Sequence, residues 1–275
     1  MAFAPNNKNN AISEVAFVIS LGGQPEESQI QAFTDKYTIE WGEDLPIKEE
    51  VRGQRIQMGP DMSAGPQLLE SQLDGARFRT LQRDGTLDWQ VGIEDTLVKV
   101  NCGSYSRWDN VWPTALSYLK QVSAAFISPA TPVVSFGLQY IDEFIWTGDI
   151  GAYDASEVFD SASEFFLSHM NREGHLWHLH QGWFVSNNLP EPGRRLERLH
   201  IDALEQGPVK RFPTKIDTML RHDLAEARGS FAEVFNSIEG NILVERIFIS
   251  LHQRNKEILK SLLTTEMAKR IGLDV

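Results

Sequence analysis

The chain has 275 residues, 41% of them hydrophobic and 23% charged, a balance that excludes disorder and supplies a large core. Its 38 acidic and 26 basic residues leave a formal charge of -12, which repels polyphosphate and argues against generic nucleic-acid binding. A lone cysteine, Cys102, excludes an intrachain disulfide and a cysteine zinc site and fits a reducing cytoplasm, and no apolar run approaches the ~20 residues that span a bilayer.

The opening MAFAPNNKNN has neither the basic nor the apolar region of an export signal and reads as a mobile tail. ISEVAFVISL (12–21) is rich in β-branched and aromatic residues and reads as a strand. GGQPEES breaks it and starts a helix on which Ile30, Phe33 and Tyr37 share one face. Residues 38–75 read as a long irregular connection with one short strand at RIQMG. ARFRTLQ, LDWQVGI and TLVKVNC follow, separated by the short turns RDG and ED, and predict an antiparallel meander. SRWDNVWPTALSYLKQVSAAFI places Trp108, Val111, Trp112, Ala115, Leu119, Val122 and Phe126 on one stripe, an amphipathic helix with Ser106 as its N-cap.

After SPATP the order begins again. VVSFGLQYIDEFIW (133–146) is a long strand. SEVFDSASEFFLSHM reads as a helix with Val158, Phe165, Phe166 and Met170 inward. HLWHLHQGWFV, RRLERLHIDALEQ and FPTKIDTMLRHDLAEA are three more strands. SFAEVFNSI opens a helical region that bends at Gly240 and continues to the end. The expected fold is therefore α+β, a duplicated β-α-β-β-β-α unit whose antiparallel sheets are covered by helices, ending in a long C-terminal helix. Its halves are 1–127 and 128–275, and the linker over 128–132 is too short for independent domains. CGSYSRWDNVW and RGSFAEVFNSI, which lead into the two closing helices, share a short likeness.

Four segments, AISEVAFVISL, RFRTLQRDGTLDWQVGIEDTLVKVN, VVSFGLQYIDEF and LHIDALEQ, together resemble a sporadically distributed, functionally uncharacterised family of bacterial proteins of about this length. The resemblance implies a bacterial source and, through its patchy, mobile-gene-like occurrence, a role in defence, immunity or toxin-antitoxin systems. It carries over no site residues. The histidine-rich strand EGHLWHLHQGW is where this chain departs from the family pattern.

On that strand Trp177, Leu179, Trp183 and Val185 share one face, expected to be buried, and His178, His180 and Phe184 share the other. In the next strand Leu199, Ile201 and Ala203 belong inward, leaving Arg198, His200 and Asp202 outward. If the two strands pair, His178, His180, His200 and Asp202 form a candidate divalent-metal site for a hydrolase, with Asp217, Asp223 or His222 added by the third strand. The competing reading is polar side chains on the open face of a sheet, with Arg198 opposing any cation. Gly22 and Gly23 are turn residues that lack a phosphate-loop pattern, and Cys102 is buried rather than nucleophilic. The adjacent acids Asp142 and Glu143 point to opposite faces. Arginine and lysine groups around Arg194, Arg195, Arg198, Lys210, Arg211 and Lys215 sit beside acids and read as solvated strand ends.

No catalytic constellation emerges, so the leading expectation is a non-enzymatic protein-interaction module with a protein partner and no membrane contact. One alternative is a metal-dependent hydrolase or a metal-binding protein that uses the His-x-His strand. The other is a small-ligand sensor with a pocket between the halves, lined by Trp89, Trp146, Trp177 or Trp183. Ile247, Leu251, Ile258 and Leu262 of the last helix either pack on its own sheet or form a homodimer seam.

Overall fold

The computed structural model describes residues 2–7, 10–53, 56–57, 67–68, 71–167, 169–170, 174–187, 191–207 and 211–273. The strands are β1 (Phe3–Pro5), β2 (Ile12–Leu21), β3 (Ile47–Gly53), β4 (Ile56–Gln57), β5 (Gln67–Leu68), β6 (Gln72–Leu81), β7 (Leu87–Glu94), β8 (Leu97–Cys102), β9 (Val133–Trp146), β10 (Trp177–Asn187), β11 (Gly193–Ala203) and β12 (Phe212–Leu224). The helices are α1 (Glu27–Glu40), α2 (Trp108–Ser123), α3 (Phe231–Asn236), α4 (Ile238–Leu262) and α5 (Thr265–Arg270). Ten strands form one antiparallel sheet in the order β10-β11-β12-β9-β2-β8-β7-β6-β3, with β1 beside β9, while β4 and β5 pair separately. The two halves therefore share a single sheet. They meet where β2 and β9 run side by side, with Val15 opposite Tyr140 and Phe17 opposite Leu138.

Alternation along the strands sorts the sheet into two faces. Val15, Phe17 and Ile19 of β2, Val98 and Val100 of β8, Phe136 and Leu138 of β9, and Leu199 and Ile201 of β11 are buried on one side. α1, α2 and α4 pack over that side. The predicted stripe of α2 is buried at Val111, Trp112, Ala115, Leu119 and Val122. Ile247, Leu251, Ile258 and Leu262 of α4 are all buried, so the chain's own sheet occupies them. Rings from both halves interlock across the seam: Phe17 meets Phe248 at 5.6 Å and Trp112 at 5.6 Å, and Phe136 meets Phe248 at 5.9 Å. Burying large aromatic side chains supplies much of the cohesion here, roughly 25 cal/mol per Å² of apolar surface removed from water.

Several expectations fail locally. SEVFDSASEFFLSHM is not an α-helix: among its described residues it forms a 3-10 turn at Ala155–Glu157 and an isolated bridge between Phe159 and Leu263. Its polar residues compete with helical bonding, since Asp154 accepts from the amide of Ser156, Asp160 from that of Ala162, and Ser163 Oγ from that of Phe165. Burial of Val158, Phe165 and Phe166 is as expected, because three apolar anchors fix which side faces in without fixing a helix. The N-terminal residues are not a free tail. Phe3 is buried against Trp146 and Tyr153, and β1 pairs with the end of β9.

β3 runs through the region read as irregular and pairs with β6 as the sheet's edge. Its many charges suit an edge strand and obscured its alternation. The N-cap of α2 is Arg107, with no side-chain cap bond, while Ser106 Oγ accepts from Asn110. The last helical region breaks at Ser237 rather than Gly240: Ser237 is extended (φ -88, ψ 146) and caps α4 through Gly240 N. It breaks again at Leu263, before α5.

α3 begins with a reciprocal cap in which Ser230 and Glu233 satisfy each other's backbone amides. Ser230→Ala should cost about 1–2 kcal/mol in urea unfolding; a loss near zero would mean the Glu233 half of the cap suffices. No helix among the described residues is long and apolar enough to cross a membrane.

Candidate ligand-binding site

The strand faces around the histidines are as expected. Trp177 and Leu179 are buried, Trp183 and Val185 are partly so, and His178, His180 and Phe184 are exposed. The β10-β11 register sets His178 opposite Asp202 and His180 opposite His200, whose rings lie 5.1 Å apart. From β12, Asp217 stands opposite His200, whereas His222 belongs to the inner face and is buried. All four sequence candidates thus gather on the open face. Their donor atoms are engaged differently: His200 Nε2 lies 3.1 Å from Asp202 Oδ1, and Arg198 reaches Asp217 at 3.3 Å. Among the described residues no three histidine, cysteine, aspartate or glutamate side chains are placed to hold a metal ion.

Arg194 and Arg195, like Arg198, are paired with acids. Arg194 lies 3.7 Å from Asp223 and Arg195 2.6 Å from Glu197; Lys210 is outside the described residues. Cys102 is fully buried, and burial pushes its thiol up to about 11.

A different constellation sits on the covered face. It lines a cavity of about 570 Å³ bounded by β9, by α4, by the residues leading into α2, by the start of β2, and by residues 271–273. β9 carries Phe136, Leu138, Tyr140, Phe144 and Trp146 inward, and in the middle of this apolar row stands Asp142. Asp142 is 1% exposed and its Oδ2 has no hydrogen-bond partner. Burial alone pushes its carboxyl up to about 7. Glu143, its neighbour, points to the other face, as alternation requires. Beside Asp142 the β2-β9 ladder slips by one residue between Ile12 and Glu14, a bulge that leaves Ser13 to donate its hydroxyl to the carbonyl of Ile141. Bulges recur where a sheet must open toward a site.

α4 closes the other side. His252 Nδ1 and Tyr140 Oη are 2.8 Å apart, and the imidazole stacks on Trp108 at 4.1 Å. Burial, reinforced by nearby Lys256, lowers His252 to about 4, so its ring is neutral at pH 7. Burial likewise pushes the phenol of Tyr140 up. One helical turn further on, Asn255 is 3% exposed with Oδ1 unpaired. The interior therefore offers a carboxyl able to change charge near neutrality, a neutral tyrosine-histidine pair, and two unpaired oxygen acceptors. This is the pattern of a polar ligand site set in an aromatic wall.

Trp89, Trp146, Trp177 and Trp183 are not among the residues that line this cavity. Trp146 and Trp177 are core residues, and Trp108 lines the cavity instead. The missed signal was legible at one place: a single acid interrupting the inward row of β9. His252, Tyr105 and Asn255 gave none, since their convergence depends on how α4 and the start of α2 dock.

The chain thus belongs to the mixed α/β class: a ten-stranded antiparallel sheet with helices on one face and a ligand-sized cavity between sheet and helices. No family model matches it, and no curated protein matches it significantly.

Proposed function

We propose that this chain is a non-enzymatic interaction protein whose partner-binding state is set by a small molecule held in the cavity between its halves. One observation carries the reading: a cavity of about 570 Å³ is lined by a fully buried carboxylate whose Oδ2 no group among the described residues satisfies. Its size lies within the roughly 300–1,000 Å³ of small-molecule sites. Buried polar groups are otherwise almost always paired, and an orphan inside a cavity is best explained by a ligand that pairs it. Both halves line the cavity, Ala11 and Trp108 from one, Tyr140 and His252 from the other, so occupancy bears on their junction.

α4 is the natural reporter to a partner. It walls the cavity and presents Ile238 and Ile242 of its first turns to solvent, 80% and 50% exposed. The same reading takes the fold as a duplication. The pairing orders β2-β8-β7-β6 and β9-β12-β11-β10 are alike, which supports it, although the second copy lacks the first helix. A bacterial setting in defence, immunity or toxin-antitoxin systems belongs to the proposal and rests on the resemblance of the strand segments, and a cytoplasmic one rests on the single cysteine. The metal-hydrolase reading has its residues on one face but has weaker support, because His200 and Asp202 already pair with each other.

The test is thermal unfolding of the full chain with neutral, cationic and anionic aromatic fragments. A fragment at 100 times its Kd stabilises by about 2.7 kcal/mol. Ile249→Trp, at a half-exposed position lining the cavity, should abolish the shift. No shift from any fragment would remove the ligand-binding reading.

A further inference from the structure

We infer that the cavity takes a small zwitterion, an amino acid or close derivative, with its protonated amine on Asp142 and its acid group at the mouth beside Arg107 and Lys256. This rests on the ligand-binding reading above and names the ligand class. The inner end is defined by what it lacks. Asp142 Oδ2 and Asn255 Oδ1 are both buried and unpartnered among the described residues; the amide oxygen is an acceptor, as the carboxyl is once ionised, so a group that matches both donates hydrogens. An ammonium supplies three donors and a charge opposite to the carboxylate's. The rings of Tyr105 and Tyr140, 6.1 Å apart, form part of the same wall and favour a cation. A neutral apolar occupant would leave both oxygens orphaned, and an anion would meet Asp142.

The mouth has the opposite character. Arg107, exposed, and Lys256, partly exposed, line the cavity toward solvent, and neither forms an ion pair among the described residues. The N-terminus of α2 opens beside them, and its cap residue Arg107 gives the first-turn amides no side-chain bond. Helix N-termini and guanidinium groups both attract carboxylates. Asp109 is the opposing charge there. A plain amine would pass two cations without engaging them, and a plain acid would find no donor inside. A molecule with both groups satisfies both ends, and 570 Å³ leaves room for a bulky side chain.

The standard L-amino acids are screened by thermal shift on the full chain. The best binder is then compared by calorimetry with its decarboxylated amine and its deaminated acid. Each truncated compound should bind about tenfold more weakly or worse than the amino acid. Asp142→Asn should weaken the amino acid and the amine by a similar factor while leaving the acid unchanged. The Arg107→Gln, Lys256→Gln double variant should do the reverse. If a variant fails to fold, the three-ligand comparison on the native chain still decides. An amine, acid or neutral fragment that binds as well as every amino acid overturns the zwitterion and leaves the cavity a binding site. Silence from all probes overturns both.

Discussion

Replacing Glu197 by alanine is expected to destabilise the protein by about 3–5 kcal/mol, measured by denaturant unfolding at pH 7. Glu197 sits on the covered face of β11 with its side chain fully buried. Arg195 Nη2 reaches Oε1 at 2.6 Å, Arg254 Nη2 reaches Oε2 at 2.9 Å, and Trp183 Nε1 donates to Oε2 at 3.1 Å. The carboxylate ties α4 to the sheet and neutralises two guanidinium groups that would otherwise face each other. Removing it leaves the Arg195 guanidinium and the Trp183 N–H without this partner and Arg254 with Glu257 alone at 3.0 Å, which costs more than the attraction contributes. Simultaneous replacement of Glu197, Arg195 and Arg254 by leucine or methionine should cost much less, since no charge is then left unpaired. A loss under about 1 kcal/mol for Glu197→Ala would mean that water reaches the arginines.

The cluster also has a pH signature. Burial pushes the Glu197 pKa up, but hydrogen bonds and charge from Arg254 and Arg195 outweigh it and hold the carboxyl below its ordinary value. With the folded pKa below the unfolded one of ~4.3, its stabilisation is complete above that pH and is lost as pH falls through the folded value.

Asp142→Asn should act in the opposite direction and raise stability above pH 7 by up to about 4 kcal/mol, the equivalent of its roughly three-unit displacement to about 7 from an ordinary 3.8. Below pH ~4 the acid is neutral in both folded and unfolded chains and carries no ionisation penalty. Between about 4 and 7 the unfolded chain ionises Asp142 while the folded chain keeps it protonated, so stability falls with rising pH; above 7 the difference is constant. Subtracting variant from wild-type unfolding free energies across pH 3.5–8 should isolate this slope. A flat difference would show Asp142 to be solvated or paired. A protein that becomes more stable while losing its ligand has kept a costly buried acid for function.

These two acids show how far the sequence reaches. Alternation alone placed Trp177 inward and His178 outward, put Leu199 and Ile201 in the core, and sent Asp142 and Glu143 to opposite faces, because side chains on a strand alternate regardless of neighbours. The same rule located β9 at its true ends, and helical spacing located the apolar stripe of α2. It could not locate β3, whose edge position lets charge fill both faces. Nor could it separate a helix from capped turns over residues 156–170, where the same apolar anchors are compatible with either.

What the sequence by itself determined was β2, the strands from β6 to β12, the helices α1 and α2, and which face of those strands seeks the core. These follow from chain-local periodicity. Tertiary structure alone decided that both halves share one sheet, and that His180 faces His200 without completing a ligand set. It also brought Asp142, Tyr140, His252 and Asn255 to one cavity. Strand register and helix docking depend on contacts between residues far apart in sequence, from His180 and His200 in neighbouring strands to Tyr140 and His252, and no local pattern encodes which polar side chains such contacts leave facing each other.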